Sequence, residues 1–351
     1  MNNQQVVAKT KDYRLDKLRA ISCIMVVIIH VANYYGREFG DVSAMSFLGA
    51  LIYSTISRVS VPVFFMISGM LLLNKPVDLR KNTKRIVEKF LYSAFTVLLI
   101  TAWDVLYVGE KFKNYIGLLG EPERSLLWFL YAIIAIYIAL PFIRRMVENM
   151  TAKEDLLFVA LWVVFNGCLY IAKYKYKIPF SYPIPIINGT YYLGYFVMGH
   201  LIAKHLDTIK KWISNIWVKL IAVVLGLGAY AATIILSFVK SYQADKFYYY
   251  FFNYRSLFII VSSVVFFVLF YIYSKNNENK IVSIISKYSF EIYLFHAIPL
   301  DFVMLNVNFK AVNSFIGIPL YTLIIFLMTL LIAVVVQWFV GLFKRNKHKP
   351  V

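Results

Sequence analysis

The sequence predicts an all-α protein, a polytopic membrane helical bundle with about ten transmembrane helices. Of its 351 residues, 60% are hydrophobic and only 16% are charged, and the mean hydropathy is +0.67. This composition excludes an ordinary soluble domain and a disordered chain. Ten apolar stretches have the roughly 17 to 25 residues that a helix needs to cross a bilayer. The whole chain, residues 1–351, is therefore predicted to form a single membrane domain.

The ten predicted spans follow one another without a Gly/Ser-rich linker between them. The sixth and the ninth are the least apolar, since the sixth contains Asn188 and His200 and the ninth contains Lys287 and Glu291. The spans centre near residues 27, 60, 99, 134, 164, 195, 228, 264, 293 and 330, between a polar tail at residues 1–17 and a basic tail at residues 344–351.

The net charge of +19 predicts an orientation in the membrane rather than a nucleic-acid partner, because of where the cationic residues fall. With a cytoplasmic N-terminus and ten crossings, the cytoplasmic segments hold 25 Lys and Arg residues and the opposite loops hold 11. Cationic loops are preferentially retained on the cytoplasmic side. We therefore expect both termini in the cytoplasm and a multi-pass position in a bacterial cell membrane.

Arg19 and His30 form the first candidate functional pair, in the first predicted span. They are eleven residues apart, so at about 100° per residue their side chains share one helix face, roughly 16 Å apart along the axis. Asp16 lies three residues before Arg19, a spacing that allows an ion pair. A helix-end arginine that reaches toward lipid phosphates, together with a structural histidine, would give the same pattern. Taken alone, the pattern supports that interpretation and a catalytic one equally.

Arg58 lies far inside the apolar stretch of the second predicted span. A guanidinium there needs a carboxylate, a phosphate or several carbonyl groups as partners, and Asp104 or Glu291 from other spans could serve. A structural ion pair and a ligand contact are both open for this residue. Four residues later, Pro62 removes a backbone donor and predicts a kink in the helix.

Ser68, Trp128 and His296 are candidates for substrate contact that also have simpler interpretations. Ser68 precedes Gly69, and a small pair in a membrane helix usually serves close packing. Trp128 lies near the outer end of the fourth span, where an interfacial aromatic belt is the favoured interpretation, as it is for the run FYYYFF at residues 247–252. His296, in the ninth span, has the pattern of a structural hydrogen-bonding partner.

Four motifs, in their order along the chain, resemble the acyltransferase-3 family of integral membrane acyltransferases. They are Arg19 followed by ten residues and His30, VPVFFMISG at residues 61–69, LWFL at residues 127–130 and IYLFH at residues 292–296. The resemblance extends over essentially the whole chain. It implies transfer of an acyl group, commonly acetyl from cytoplasmic acetyl-CoA, to hydroxyl groups of envelope glycans and related surface molecules. It also implies that His30 matches the family's essential histidine and Arg19 its paired arginine.

Acyl transfer to a sugar hydroxyl requires a base, and neutral imidazole suits that role. His30 is accordingly expected to be catalytic, either by removing the hydroxyl proton or by forming a transient acyl-imidazole, and both routes stay open. Arg19 is expected to bind the CoA pyrophosphate or to orient the thioester. Arg58 is expected to steady a developing oxyanion or to bind a substrate carboxylate.

The cytoplasmic stretch after the second span departs from the family pattern. Members of the family often carry an RxxR pair there, whereas Asn82 takes the place of the first arginine before Arg85. Lys84 and Arg85 are still candidates for binding the CoA phosphates. For any single lysine in this stretch, an ordinary positive-inside residue is the favoured interpretation.

The sequence contains no HExxH, CxxC, P-loop or GxSxG motif, so it does not carry the residues of those zinc, nucleotide-hydrolysing and serine-hydrolase sites. We expect no metal and no permanently bound cofactor, with acetyl-CoA or another acyl-CoA as the acyl donor. The expected partners are the lipid bilayer and a glycan or lipid-linked saccharide acceptor. Two alternatives remain: a transporter or flippase of an envelope precursor, in which buried Arg and His move a solute without chemistry, and a non-catalytic membrane scaffold.

Overall fold

The regular structure of the protein is helical. A computed structural model describes residues 11–109, 128–176 and 191–346, and no strand occurs in these ranges. The α-helices are α1 (Tyr13–Arg37), α2 (Ala44–Ser57), α3 (Ser60–Leu72), α4 (Leu79–Trp103), α5 (Trp128–Glu148), α6 (Ala152–Trp162), α7 (Leu169–Tyr176), α8 (Tyr191–Lys204), α9 (Leu206–Ser214), α10 (Ile216–Ala244), α11 (Leu257–Tyr273), α12 (Lys280–Lys287), α13 (Ser289–Phe295), α14 (Ala297–Asn306) and α15 (Ser314–Asn346).

Seven helical stretches within the described ranges are long and apolar enough to cross a membrane. They are Ala44–Leu72, Leu79–Val108, Trp128–Glu148, Ala152–Tyr176, Ile216–Ala244, Tyr250–Tyr273 and Ser314–Phe339. Each contains the centre of one span predicted from the sequence. The prediction of a helical, multi-pass membrane protein is therefore confirmed, whereas the count of ten is not.

The predicted spans near residues 27, 195 and 293 differ from these seven in polarity or length. α1 has 25 residues, but its first two turns carry Asp16, Lys17 and Arg19. α8 has only 14 residues, and the predicted ninth span is divided between α13 and α14, of seven and ten residues. Polar or interrupted helices suit the inside of a membrane domain, where other helices cover them.

Two helix breaks lie just before prolines, and each carries a candidate functional residue. Arg58 lies in the interruption between α2 and α3, four residues before Pro62. His296 separates α13 from α14, three residues before Pro299. Proline has no N–H to donate, and its ring crowds the carbonyl of the preceding turn. The irregularity predicted near Pro62 is thus present as a break in the helix.

α3 and α8 approach each other so closely that their backbones are in contact. A Cβ atom added to Gly69 of α3 would lie 1.7 Å from the carbonyl oxygen of Phe196 in α8. In the reverse direction, a Cβ added to Gly199 of α8 would lie 1.9 Å from the carbonyl oxygen of Met66 in α3. Only glycine fits at either position. Such contacts are typical of membrane helices that associate through small residues.

α1 packs against helices from both ends of the chain. It contacts α2 and α3, which follow it directly, and α11 to α15, which come more than 200 residues later. Its buried face includes Leu18, Val27, Val31 and Tyr35, and the Tyr35 hydroxyl donates to the carbonyl oxygen of Val312 at 3.1 Å. The helix that carries Arg19 and His30 is therefore held on several sides.

We expect Gly69→Ala to lower the stability of the protein, because the new methyl group overlaps the Phe196 carbonyl and forces α3 and α8 apart. Overpacking of this kind costs about 1–3 kcal/mol or more. The measurement is the midpoint of thermal unfolding of the purified protein in detergent. Gly228→Ala, in α10, is the matched control, since no atom lies within 4 Å of its added Cβ. Equal midpoints for the two variants would contradict the close contact.

Candidate active site

One cavity of about 730 Å³ is lined by several polar and aromatic side chains of the described ranges. It lies between α1, α5, α14 and the connection from α10 to α11. Its polar and charged lining residues are His30, Asn33, Arg37, Arg58, Asn253 and Asp301, and its aromatic lining residues include Trp128, Phe129, Tyr191, Phe247, Tyr249, Phe252, Tyr254 and Tyr293. A pocket of this size accommodates a small organic ligand.

His30 lines this cavity with its imidazole stacked on that of His296. The ring centroids are 5.0 Å apart and the planes differ by 28°. His296 is completely buried, and its Nδ1 lies 2.6 Å from the carbonyl oxygen of Tyr293. A carbonyl oxygen only accepts, so Nδ1 must carry the proton of this hydrogen bond. The break between α13 and α14 thus fixes the tautomer and the orientation of the imidazole beside His30.

Arg58 is buried in the wall of the same cavity, with 4% of the residue exposed. Its guanidinium donates a hydrogen bond to the Tyr249 hydroxyl. The guanidinium carbon lies 4.9 Å from the ring centre of Tyr249, 5.3 Å from that of Phe252 and 5.5 Å from that of Tyr254, within the range of cation–π attraction. Its Nε atom is buried and has no hydrogen-bond partner among the described residues.

Asp104 and Glu291, the carboxylates that the sequence offers as possible partners of Arg58, do not pair with it in the described ranges. Glu291 accepts instead from the side-chain amide of Gln337. Asp104 lies in the π-helical turn that follows α4, and no ion pair joins it to Arg58 in the described ranges. The aromatic surroundings of Arg58 come from the connection before α11, which sequence spacing alone does not bring next to α2.

The aromatic run at residues 247–252 lines the cavity, which the belt interpretation did not anticipate. Phe247, Tyr249 and Phe252 all face the cavity. Trp128 of α5 also lines the cavity, with its ring centroid 5.5 Å from that of Tyr254 and 6.3 Å from that of Tyr191.

Arg37, Asn253 and Asp301 are cavity residues that the sequence analysis did not single out. Asp301 accepts from the Tyr34 hydroxyl at 3.4 Å. An acidic residue in an apolar stretch such as AIPLDFVML was a usable signal, since such residues in membrane segments usually face the protein interior. Arg37 and Asn253 lie at helix ends and in connections, where polar residues are common and carry no such signal.

Arg19 lies toward the other end of α1, away from the cavity. Its Nη1 is 3.3 Å from Asp16 Oδ1 and 3.1 Å from the Ser286 hydroxyl of α12. Asp16 also pairs with Lys11 at 2.7 Å and accepts from Ser286 at 2.6 Å. The ion pair predicted from the i, i+3 spacing is therefore present. Because α1 is continuous from Tyr13 to Arg37, Arg19 and His30 share a face as expected.

Ser68, Lys84 and Arg85 also lie away from the cavity. Ser68 is half-buried on α3 beside the close contact with α8. Lys84 is exposed on α4 with Glu88 4.0 Å away, and the guanidinium carbon of Arg85 lies 5.8 Å from the ring centre of Tyr137. The structure thus brings His30, His296, Arg58 and Trp128 together and leaves Arg19, Ser68, Lys84 and Arg85 apart from them.

Asn82, which replaces an arginine of the expected motif, has a structural contact of its own. It is buried, and its side-chain amide donates to the carbonyl oxygen of Tyr137 at 2.8 Å. The bond joins α4 to α5. A longer, charged side chain at this position would have to leave that contact, so the departure from the motif is accommodated by helix packing.

The cavity has the components that transfer to a hydroxyl group needs. An imidazole nitrogen lies at its wall to take a proton. Aromatic faces offer surfaces on which the C–H groups of a sugar can pack, and amide and phenol groups can bond to hydroxyls. A guanidinium supplies positive charge in a site of low dielectric, where such charge acts strongly.

Comparison with models of known protein families identifies the family of this chain. The family model described as an acyltransferase domain, Acyl_transf_3, matches residues 12–338. No curated protein matches the chain, and no solved structure does.

We expect His296→Ala to destabilise the protein by about 2 kcal/mol or more, because it leaves a void beside His30 in a fully buried position. His296→Phe keeps a ring against His30 and removes the hydrogen bond to the Tyr293 carbonyl. It should therefore destabilise the protein less than His296→Ala does. The measurement is thermal unfolding of both variants in detergent. An alanine variant as stable as the phenylalanine variant would argue against the stacked pair.

Proposed function

Because the chain belongs to the acyltransferase-3 family and is a multi-pass membrane acyltransferase, we propose that it transfers an acyl group to a saccharide hydroxyl. The donor in this proposal is acetyl-CoA or another acyl-CoA, and the acceptor is a cell-surface or lipid-linked saccharide. The observation that carries the proposal is the cavity in which His30, backed by His296, faces aromatic and amide side chains. The protein would act in the cell membrane, with the bilayer around it.

The proposed orientation has ten crossings and both termini in the cytoplasm. α1, α8 and the pair α13–α14 supply the three crossings beyond the seven long apolar stretches. The excess of Lys and Arg in the segments assigned to the cytoplasm supports this arrangement. In this orientation Arg19 lies near the cytoplasmic surface, and the cavity opens toward the opposite surface.

In the proposed reaction, His30 accepts the proton of the acceptor hydroxyl as its oxygen attacks the thioester carbonyl. The carbon–sulfur bond then breaks, and the proton passes from the imidazolium to the leaving CoA thiolate. In a second route, the imidazole attacks the thioester carbonyl, the carbon–sulfur bond breaks, and the CoA thiolate leaves with the ring N–H proton. The acceptor hydroxyl then attacks the acyl-imidazole, the carbon–nitrogen bond breaks, and the hydroxyl proton returns to the imidazole. Both routes need the same lone pair on His30. Contact with the buried ring of His296 holds that imidazole in place.

Arg19, Lys84 and Arg85 have the position and charge to bind the donor at the cytoplasmic end. Arg19 is about a quarter exposed and keeps donor groups beyond its bond to Asp16. We propose that the acyl-bearing arm of the donor approaches His30 from this end of α1.

The test of the proposal is His30→Ala in cells, at matched membrane abundance. Removing the imidazole takes away the proton acceptor, so one ester-linked acyl species on envelope glycans or lipid-linked precursors should disappear, a loss of about 100-fold or more. Mass spectrometry of released acyl esters measures it and identifies the acyl group. His205→Ala is the control, since His205 pairs with Asp155 outside the cavity.

Arg19→Lys is the companion variant, because it keeps the charge and loses the planar fork that binds phosphates in pairs of hydrogen bonds. We expect a higher KM for the acyl-CoA with a smaller change in kcat. An acyl profile unchanged in the His30 variant, and equal to that of a deletion strain, would favour a transporter, a flippase or a scaffold.

The orientation is tested with single cysteines at Asp41 and Lys84 in a variant without Cys23 and Cys168. Both side chains are more than half exposed, and they lie at opposite ends of the α2–α3 crossing. A membrane-impermeant maleimide added to intact cells should label Asp41→Cys and should reach Lys84→Cys only after permeabilisation. Labelling of both from outside would mean that the number of crossings between them is wrong.

A further inference from the structure

We propose that the acceptor is an anionic saccharide and that Arg58 binds its carboxylate or phosphate group while a hydroxyl of the same molecule faces His30. This inference rests on the proposed function, because it names the chemical class of the acceptor. In this inference, Arg58 binds the acceptor before the reaction begins, in addition to packing in the wall of the cavity.

The first argument is the pairing of Arg58 compared with that of other arginines. Arg14 donates two hydrogen bonds to Asp12, at 2.9 and 2.8 Å, and Arg144 donates to Glu148 at 2.9 Å. In the described ranges, Arg58 donates to the Tyr249 phenol and has no carboxylate partner, whereas its buried Nε is without a partner, as that of Arg144 also is. A guanidinium that is both buried and without a counter-charge is costly, and an oxyanion that binds it in the cavity removes that cost.

The second argument is the charge of the cavity lining. Among the described residues that line the cavity, Arg37 and Arg58 carry positive charge, and Asp301 carries the only negative charge. Asp301 already accepts from Tyr34. With His30 neutral, the lining has an excess of positive charge, which favours an anionic ligand in a poorly hydrated site.

The third argument is the position of Arg58 relative to the other groups. Tyr249, 43% exposed, lies over the guanidinium at the cavity surface, so a ligand oxyanion reaches Arg58 by replacing a phenol contact. The rings of Trp128 and Tyr254 are next to this point, at 5.5 Å from each other. A sugar ring lying on these aromatic faces has room to extend from Arg58 toward His30 within the same cavity of about 730 Å³.

The test is ligand-dependent stabilisation of the purified full-length protein against heat, without any acyl donor. The probes are glucuronate, glucose 6-phosphate and glucose at equal concentration and equal ionic strength. A ligand that binds only the folded state raises the unfolding midpoint. We expect a rise with one or both anions at concentrations where glucose has no effect. A response to glucuronate alone identifies a carboxylate as the recognised group, and a response to glucose 6-phosphate alone identifies a phosphate.

Two variants connect the effect to the guanidinium. Arg58→Met should weaken anion binding about tenfold or more. Arg58→Lys should retain part of the anion binding, because lysine keeps the positive charge. Arg144→Met is the matched control, since Arg144 is a largely buried guanidinium outside the cavity with a carboxylate partner, and it should leave the anion effect unchanged. Each midpoint shift is measured against the same variant without ligand.

Two results would overturn the inference. One is an equal response to glucose and to both anions, including no response to any of them. The other is an anion response that survives in Arg58→Met. The proposed function fails on a different measurement, since the His30→Ala acyl profile does not depend on this binding. An acyltransferase that prefers neutral acceptors would lose only the inference about Arg58.

Discussion

The contact between the backbones of α3 and α8 is the constraint on which the site depends. Gly69 and Gly199 each lie against a carbonyl oxygen of the other helix, so the two helices cannot separate or rotate without losing this contact. α3 begins immediately after Arg58, and α8 begins at Tyr191, which also lines the cavity. One tight helix pair thus sets the distance between two walls of the cavity. The positions of the Arg58 guanidinium and of the Tyr191 ring follow from this helix contact.

Much of this arrangement could be predicted from local sequence. The helical class follows from composition, the shared face of Arg19 and His30 from their spacing, and the break after Arg58 from Pro62. The contacts across the site could not be predicted in this way. Arg58 and Tyr249 are 191 residues apart, and His30 and His296 are 266 apart. Periodicity says which side of a helix faces inward but does not say which distant segment lies there.

The number of spans was hard to predict for a related reason. Rules of length and hydropathy describe helices that face lipid, and the most buried stretches of this chain face protein instead. In the stretch Ala44–Leu72, 72% of the most apolar window is buried, compared with 22% in Ile216–Ala244. Burial lets helices such as α8, α13 and α14 be short or broken, because neighbouring helices satisfy and cover their polar groups.

The connection between α10 and α11 has a consequence for how this protein scaffold can diversify. It supplies Tyr249, Phe252, Asn253 and Tyr254 to the cavity, whereas both imidazoles come from α1 and the α13–α14 junction. Under the proposed function, changes in a single segment of about a dozen residues would alter which acceptor binds while the histidine pair stays intact. Connections between fixed helices tolerate such exchange better than the helices themselves. Gene duplicates could acquire new acceptors by replacing this one segment.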